Sequence, residues 1–276
     1  MAAALALLLL ARCSIPGLRA NELVQIPDKD EYGEIFALQA TVCRPAGSAP
    51  APILVLNHGS PVPGGSRGDI RPLACSSAAV RWFVDRGYLV VLPMRRGYGT
   101  SGGAWAEDPG PCSSPDYARA AREGAHDIAL TVAIARKLPG ARPDGLVVLG
   151  WDIGGLATLA YAGGDPPADA RAIVMAAYGG ARGDAEAGHV CRPDLLVEAA
   201  GQLGATARIP SLWVYAGNDR LVTPELALAM VAAFNAAGGR VRFALTGEGA
   251  TEGHDLFFAP NGPVIWGPVV ETFLAR

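Results

Sequence analysis

The sequence predicts an α/β fold in which a mostly parallel central sheet has helices on both faces. Short apolar runs alternate along the chain with longer helical patterns, which is typical of this architecture. The runs are apolar throughout, as strands are when both faces of a parallel sheet are covered. Half of the 276 residues are hydrophobic and 18% are charged, so the chain can bury a large core. These observations favour one α/β domain.

Five apolar runs are the clearest strands, and five helical patterns lie between or after them. The predicted strands are 53–57, 89–92, 146–149, 172–175 and 211–215. The predicted helices are 72–86, 117–138, 155–162, 224–237 and 267–274. The fourth of these helices begins with Thr223-Pro224-Glu225, where Thr can cap the helix and Pro suits the first helical position.

The stretch 178–208 interrupts the alternation. It is rich in Gly, Ala and polar residues and contains one short helical pattern, 194–203. It is too short to be a domain of its own. We therefore predict a single domain over 21–276 with a short lid-like insertion.

The first twenty residues have the pattern of a signal peptide. Residues 2–11 form an uncharged apolar run, and Leu18-Arg19-Ala20 leaves a small residue at a plausible cleavage point. The run is shorter than the roughly 20 residues that span a bilayer. The prediction is a signal peptide over 1–20 and a periplasmic or secreted protein; the alternative is a disordered N-terminus.

Four cysteines follow that segment, and an even number in an exported chain suggests disulfides. Cys112 and Cys191 both lie in loop-like sequence beside Pro and Asp, and we predict that these two pair. The alternative is four free thiols. No pair has the spacing of zinc ligands, so we expect no metal.

Charge and loop patterns exclude several partner classes. The net charge of −3 and the scattered Lys and Arg residues give no basic surface for nucleic acid or an anionic membrane. The glycines of 95–103 lack the spacing that opens a helix in nucleotide-binding loops, so this is a structural loop. We expect a small-molecule substrate and no cofactor; the oligomeric state is not predicted.

The most informative segment is 146–157, where an apolar strand runs into Gly-x-Asp-x-Gly-Gly and then a helix. Such a sharp turn strains its central residue, Asp152, and points its side chain outward. Gly150 and Gly154 then allow strand and helix to approach. The amides at the helix start favour negative charge there. We predict that Asp152 is a nucleophile; the alternative is an ordinary helix cap.

A nucleophile needs a base and an orienting acid. His254 lies in a Gly-rich loop at the carboxyl edge of the sheet and is the candidate base, whereas His58, His126 and His189 are expected to be structural. Asp219 follows the strand 211–215 and is the candidate acid, although a turn aspartate that bonds its own backbone is the alternative.

Two further sets of residues complete the predicted site. Gly59 permits a tight turn that aims the amide of Ser60 at the space above Asp152, and with the amide of Ile153 it would form an oxyanion hole. Trp105, Trp151 and Tyr178 are candidates for lining the substrate pocket. Aromatic residues near such a turn also commonly belong to the core.

Together these segments resemble the α/β-hydrolase superfamily over nearly all of 35–276, which implies the α/β-hydrolase fold. The run 81–88, the loop 96–99 and Gly253-His254 resemble the dienelactone hydrolase-like and prolyl-oligopeptidase-like exported hydrolases. That branch would carry Ser or Cys at position 152. The Asp at this position is instead similar to epoxide hydrolases and haloalkane dehalogenases, which 152–155 and 58–61 also match locally.

The resemblance implies a hydrolase with an Asp152-Asp219-His254 triad. Asp152 would attack an epoxide or alkyl halide and form an alkyl-enzyme ester. The alternative is an esterase or dienelactone hydrolase-like scaffold whose serine has been replaced, so that the protein is inactive or only binds a ligand.

Overall fold

The computed structural model describes residues 21–61, 65–180, 189–247 and 252–275. The predicted signal peptide lies outside these ranges. No helix within them is long and apolar enough to cross a membrane.

The described strands form one eight-stranded sheet in the order β1-β2-β4-β3-β5-β6-β7-β8. They are β1 Glu22–Lys29, β2 Ile35–Cys43, β3 Ile53–Asn57, β4 Leu89–Pro93, β5 Val147–Trp151, β6 Arg171–Met175, β7 Ser211–Ala216 and β8 Val241–Thr246. β2 pairs antiparallel with β1 and with β4, and all other pairs are parallel. The mostly parallel sheet is as predicted, and five of its six parallel strands, β3 to β7, correspond to the five apolar runs.

Helices cover both faces of the sheet, as predicted. They are α1 Ala78–Val84, α2 Tyr117–Ala135, α3 Ile153–Ala162, α4 Pro193–Thr206, α5 Pro224–Ala236 and α6 Gly262–Leu274. α1 and α6 pack on one face around Phe83 and Trp266. α2 to α5 pack on the other, where Leu159, Leu203 and Phe234 are buried.

Two predicted helix starts are wrong. α1 begins at Ala78 rather than 72, since residues 71–74 form no regular structure and Cys75 lies in a turn bonded to Cys43 at the end of β2. α6 begins at Gly262 rather than 267. Pro263 occupies its first turn, which suits proline, and Pro268 is accommodated inside the helix.

The helix predicted inside the lid-like stretch is α4, and it belongs to the core. Its buried residues Leu196, Ala200 and Leu203 lie in the same apolar cluster as Met230 and Phe234 of α5. A lid-like role therefore does not extend to α4. It remains a prediction for the stretch before this helix, where 181–188 lie outside the described residues.

Two disulfides join distant parts of the chain. Cys112 pairs with Cys191, which confirms the predicted pairing, and the remaining pair is Cys43–Cys75. The first ties the loop before α2 to the segment before α4. The second ties the end of β2 to the turn before α1.

Candidate active site

Asp152 sits at a strained bend between β5 and α3. Its backbone has φ 56° and ψ −128°, a conformation that non-glycine residues rarely adopt and that costs about 1–3 kcal/mol. A Cβ added at Gly150 would lie 1.9 Å from the Gly154 carbonyl oxygen, and one at Gly154 would lie 2.4 Å from the His58 carbonyl oxygen. The glycines are therefore required by close backbone approach, as the sequence pattern predicts.

The parallel strands bring Asp152, Asp219 and His254 to one edge of the sheet. Asp152 follows β5 and Asp219 follows β7, while His254 lies in a short 3-10 helix, Gly253–Phe257, after β8. All three side chains are buried. The Nδ1–H of His254 donates to Asp219 Oδ2 at 3.1 Å. His254 Nε2 then points toward Asp152 and lies 4.0 Å from its Oδ1.

Asp219 is fixed by its own turn as well as by the histidine. Its Oδ1 accepts the amides of Leu221 (2.9 Å) and Val222 (2.8 Å). The alternative foreseen from the sequence, a turn aspartate bonding its own backbone, therefore coexists with the contact to His254. Such a fixed carboxylate holds the imidazole in one tautomer and one orientation.

The two oxygens of Asp152 differ in their surroundings. Oδ2 accepts the amide of Ser60 at 2.5 Å. Oδ1 is buried and, among the described residues, has no hydrogen-bond partner; the same holds for Nε2 of His254. One of the two amides predicted to form an oxyanion hole, that of Ser60, thus already holds one oxygen of the elbow carboxylate.

Burial and charge shift both ionisation equilibria. Burial raises the pKa of Asp152, against the opposing effects of the His254 charge and of the Ser60 and Ile153 amides. Burial alone would lower the pKa of His254. The hydrogen bond to Asp219 and the charge of Asp152 outweigh that effect, so the pKa of His254 is raised. The Asp219 hydrogen bond and the Asp152 charge thus shift the imidazole of His254 toward its protonated form.

The loop that carries Ser60 is held by a buried network that the sequence reading missed. Arg95 forms a two-point ion pair with Glu107, and both side chains are almost fully buried. Arg95 also donates from Nη1 to the His58 carbonyl at 2.9 Å, and from its amide to His58 Nε2 at 3.1 Å. The loop 95–103 is structural, as predicted, and its structural task is to position 58–60.

His58 itself is half-buried, and its two hydrogen bonds fit a neutral imidazole. Its Nε2 accepts from Arg95, so its Nδ1 carries the proton and donates to the Gly59 carbonyl at 2.8 Å. Burial and the neighbouring charge of Arg95 lower the pKa of His58 well below its ordinary value. His126 lies on α2, half-exposed, with Nε2 3.0 Å from Asp28. Neither imidazole contacts the three site residues, in keeping with the structural roles expected from the sequence.

The three pocket candidates occupy different places. Trp151 donates its indole N–H to the His254 carbonyl at 2.8 Å and lines a neighbouring cavity. Tyr178 is buried with its ring centroid 5.9 Å from that of His254, and its hydroxyl donates to the His189 carbonyl. Trp105 lies further off, bonded to the Tyr98 hydroxyl and stacked under Arg67. A substrate contact stays a prediction for all three.

Glu252 is a second residue that the sequence reading missed. Its Oε1 accepts the amides of Arg220 at 3.0 Å and His254 at 3.4 Å. It therefore links the loop that carries the acid to the loop that carries the imidazole. A glutamate two residues before a candidate base is a weak signal in a sequence, because solvated glutamates are common in loops.

One group of side chains could in principle hold a cation. Asp28, His126 and Asp127 each offer a ligand atom within 4.8 Å of the others. However, Asp127 accepts the Arg96 amide at 2.7 Å and pairs with its guanidinium at 2.8 Å. The adjacent positive charge opposes a metal ion there.

Comparison with known proteins rests on structure. No family model matches the sequence, and no curated protein matches it. An acylaminoacyl peptidase solved with a chloromethyl ketone matches 94% of this chain (TM-score 0.61, 16% identity). A putative dienelactone hydrolase from Klebsiella pneumoniae matches 94% (TM-score 0.53, 15% identity), and an esterase from Pyrococcus furiosus matches 93% (TM-score 0.58, 16% identity).

This chain has the α/β-hydrolase fold. The predicted fold class is confirmed, including the likeness to the dienelactone hydrolase and peptidase branches. The match covers 100% of the dienelactone hydrolase and 93% of the esterase, but only 42% of the peptidase chain. At these identities the likeness establishes the fold, and the chemistry has to be argued from the site.

Proposed function

We propose that this protein is a hydrolase in which Asp152 attacks a small electrophile of the epoxide or alkyl halide type and forms a covalent alkyl-enzyme ester. The observation that carries the proposal is the unequal setting of the two Asp152 oxygens. Oδ2 is held by the Ser60 amide, while Oδ1 is unpartnered among the described residues and lies 4.0 Å from His254 Nε2.

The nature of the nucleophile selects the substrate class. An aspartate that attacks an ester would form an anhydride, which is less stable than the ester it replaces. Attack on an sp³ carbon forms an ordinary ester instead. In this step Asp152 Oδ1 bonds to the carbon. With an alkyl halide the carbon–halogen bond breaks and halide leaves; with an epoxide one carbon–oxygen bond breaks, and the oxygen stays on the adjacent carbon of the ester and takes a proton from solvent.

Hydrolysis of the ester would use the rest of the site. His254 Nε2 takes a proton from water, and the resulting hydroxide attacks Cγ of Asp152. The negative charge then develops on Oδ2, which the Ser60 amide already holds, and the Ile153 amide is proposed as the second donor. Collapse of the tetrahedral species releases the alcohol and leaves one water-derived oxygen in the carboxylate.

The ionisation of the pair suits this order of events. In the resting site the charge of Asp152 helps to raise the pKa of His254, which keeps the imidazole protonated. Alkylation removes that charge. The pKa of His254 then falls, and a neutral base forms at the step that needs one.

Trapping the ester tests the proposal directly. His254→Gln should form the ester but fail to hydrolyse it, so intact-protein mass should rise by the alkyl group, with peptide mapping to Asp152. His126→Gln is the matched control and should not accumulate an adduct. Absence of any adduct across a panel of epoxides and alkyl halides would refute the proposal.

Isotope-labelled water gives an independent test of the same step. In a single turnover of the parent protein in ¹⁸O-water, the label should enter the Asp152 carboxylate before it enters product. Label that goes straight into product would mean that water, not Asp152, attacks the substrate.

A second candidate is an acyl-transfer scaffold whose serine has been replaced by Asp152, leaving an inactive or ligand-binding protein. It is favoured by the solved structures that match this chain, which include an esterase and a dienelactone hydrolase. Asp152→Ser should then produce activity toward a small activated ester such as p-nitrophenyl acetate, whereas Asp152→Ala should not.

Two disulfides also support the proposal that the protein works outside the reducing cytoplasm, in the periplasm or after secretion. A small-molecule substrate suits a site whose three residues, Asp152, Asp219 and His254, are all buried. Expression with a C-terminal tag, followed by fractionation and N-terminal sequencing, tests both the location and the cleavage after residue 20.

A further inference from the structure

Beside the triad lies a cavity of about 400 Å³ that none of the steps above uses. We propose that this cavity binds the apolar body of the substrate, so that the enzyme acts on electrophiles that carry an uncharged hydrocarbon chain of medium length. This inference rests on the proposed function. A volume of this order is typical of pockets that enclose small organic ligands.

The lining of the cavity is mainly apolar. The carboxyl ends of β3 and β4 contribute Leu56, Leu92 and the following Met94. The segment 65–73, here called the strap, contributes Ile70 and Leu73, and Phe258 also lines the cavity. On such apolar walls, each additional buried methylene raises the affinity of a ligand by about three- to fourfold.

Among the described residues of the lining, the charged side chains Asp69, Arg71 and Asp255 are all exposed to solvent. His58 is neutral, and both its ring nitrogens are already bonded. The Arg71 guanidinium donates to the carbonyls of Gly68 and Ile70 within the strap. An uncharged chain is therefore the chemistry that the cavity favours.

The cavity adjoins the reacting carboxylate. Ser60 and Trp151 belong both to its wall and to the site, since Ser60 bonds Asp152 Oδ2 and Trp151 bonds the His254 carbonyl. Gly59 also lines it and packs closely on the site, since a Cβ added there would lie 2.7 Å from Asp152 Oδ2 and 2.2 Å from the Trp151 ring. Asp152 itself does not line the cavity, so the proposal requires that the chain of a substrate bound at Asp152 pass Ser60 to reach it.

Contacts hold the strap near its start and just beyond its end. Just beyond the strap, Cys75 is bonded to Cys43 of β2. Within it, the Arg67 carbonyl accepts the Gly99 amide at 2.9 Å, and the Arg67 guanidinium stacks 3.8 Å from the Trp105 ring centre. Ligand binding therefore spends little free energy on ordering this wall.

Chain-length dependence of turnover tests the inference. The substrates are 1,2-epoxyalkanes and 1-bromoalkanes with four, six, eight or ten carbons. Their kcat/KM should rise about threefold per added methylene until the cavity is filled. Leu73→Trp, which fills the cavity, should reduce the decyl-to-butyl ratio of kcat/KM at least about tenfold. Leu228→Trp, on the exposed face of α5, is the matched control and should preserve the ratio. Equal kcat/KM for all chain lengths would overturn the inference.

Binding without chemistry separates this inference from the proposed function. Calorimetry of n-decanol and n-butanol with Asp152→Asn should show the same chain-length preference, and Leu73→Trp in that background should abolish it. Binding with this pattern but no turnover of any substrate would support the cavity and refute the Asp152 nucleophile. Turnover with decanol binding unaffected by Leu73→Trp would refute the cavity and leave the nucleophile standing.

Discussion

The indole N–H of Trp151 donates a hydrogen bond to the backbone carbonyl of His254 at 2.8 Å. Trp151 is the last residue of β5 and immediately precedes Asp152. β5, which positions the Asp152 carboxylate, therefore also holds the loop that carries the His254 imidazole. This contact fixes the distance between the two groups through one side chain, and it leads to the first prediction.

Trp151→Phe should slow hydrolysis of the alkyl-enzyme ester by about two- to tenfold, because it leaves the His254 carbonyl without its donor while it keeps most of the ring packing. Ester formation needs no base and should change less, so the ester should accumulate in rapid-quench mass spectrometry. Trp213→Phe is the control, since Trp213 donates to the Ser211 hydroxyl in the core. Accumulation in both variants, or in neither, would contradict a role for the Trp151 contact.

The pH dependence of ester formation should reflect the buried setting of Asp152. Attack needs the ionised carboxylate, and burial raises the pKa of Asp152, so the rate should fall as the pH drops through a value above the ordinary 3.8. The His254 charge lowers this pKa. His254→Gln removes that charge, so the acid limb should move to higher pH, measured as adduct formation against pH. An acidic fall of the pH profile that moves to lower pH, or does not move, would contradict the effect of the His254 charge on the pKa of Asp152.

Asp152→Asn should stabilise the fold at neutral pH. Folding raises the pKa of Asp152, so the stability of the parent should decline as pH rises from the unfolded pKa through the raised folded value. Asn removes that decline. We expect a gain in unfolding free energy of the order of 1 kcal/mol at neutral pH that shrinks toward about pH 4.

Chemical denaturation at several pH values measures this gain. Asp194→Asn is a useful contrast, because its salt bridge to Arg192 lowers the pKa of Asp194, so the substitution should have a small effect of opposite sign. A variant at 152 that is less stable than the parent at neutral pH would contradict the argument.

Glu107→Gln should destabilise the protein and impair ester hydrolysis. Removing one partner of a buried ion pair leaves Arg95 uncompensated, which costs about 3–5 kcal/mol of unfolding free energy. The Arg95 contact to the His58 carbonyl should loosen, and the Ser60 amide should hold the developing charge less well.

The comparison variant is Glu271→Gln, which breaks the exposed pair with Arg86 and should cost less than about 1 kcal/mol. Urea unfolding gives the stabilities, and the ratio of ester hydrolysis to ester formation gives the effect on the site. A destabilised Glu107→Gln protein whose folded fraction keeps the parent ratio would show that the network is structural only.

The parts of this molecule that follow local rules could be predicted from the sequence. β3 to β7 are buried on both faces and are therefore apolar runs, and the elbow needs glycines at fixed offsets from Asp152. β1, β2 and β8 were not among the clearest strands. β1 and β8 lie at the edges of the sheet and are only partly buried, so they mix polar and apolar residues.

The supporting residues could not be predicted, because their roles depend on contacts between distant segments. Arg95 and Glu107 look like ordinary solvated charges in the sequence, and only the fold buries them against each other. Glu252 likewise gains its role from the amide of Arg220, which the chain brings close through β8. The cavity under the strap depends on the Cys43–Cys75 link and has no pattern of its own.

The direction of the side chain at position 152 is set by backbone geometry to which the carboxylate contributes nothing. The bend, the two flanking glycines and the first turn of α3 would aim a hydroxyl or a thiol at the same point. A change of one amino acid at this position would therefore leave the backbone bend and the contact between His254 and Asp219 in place, and would give up only the contacts made by the carboxylate itself.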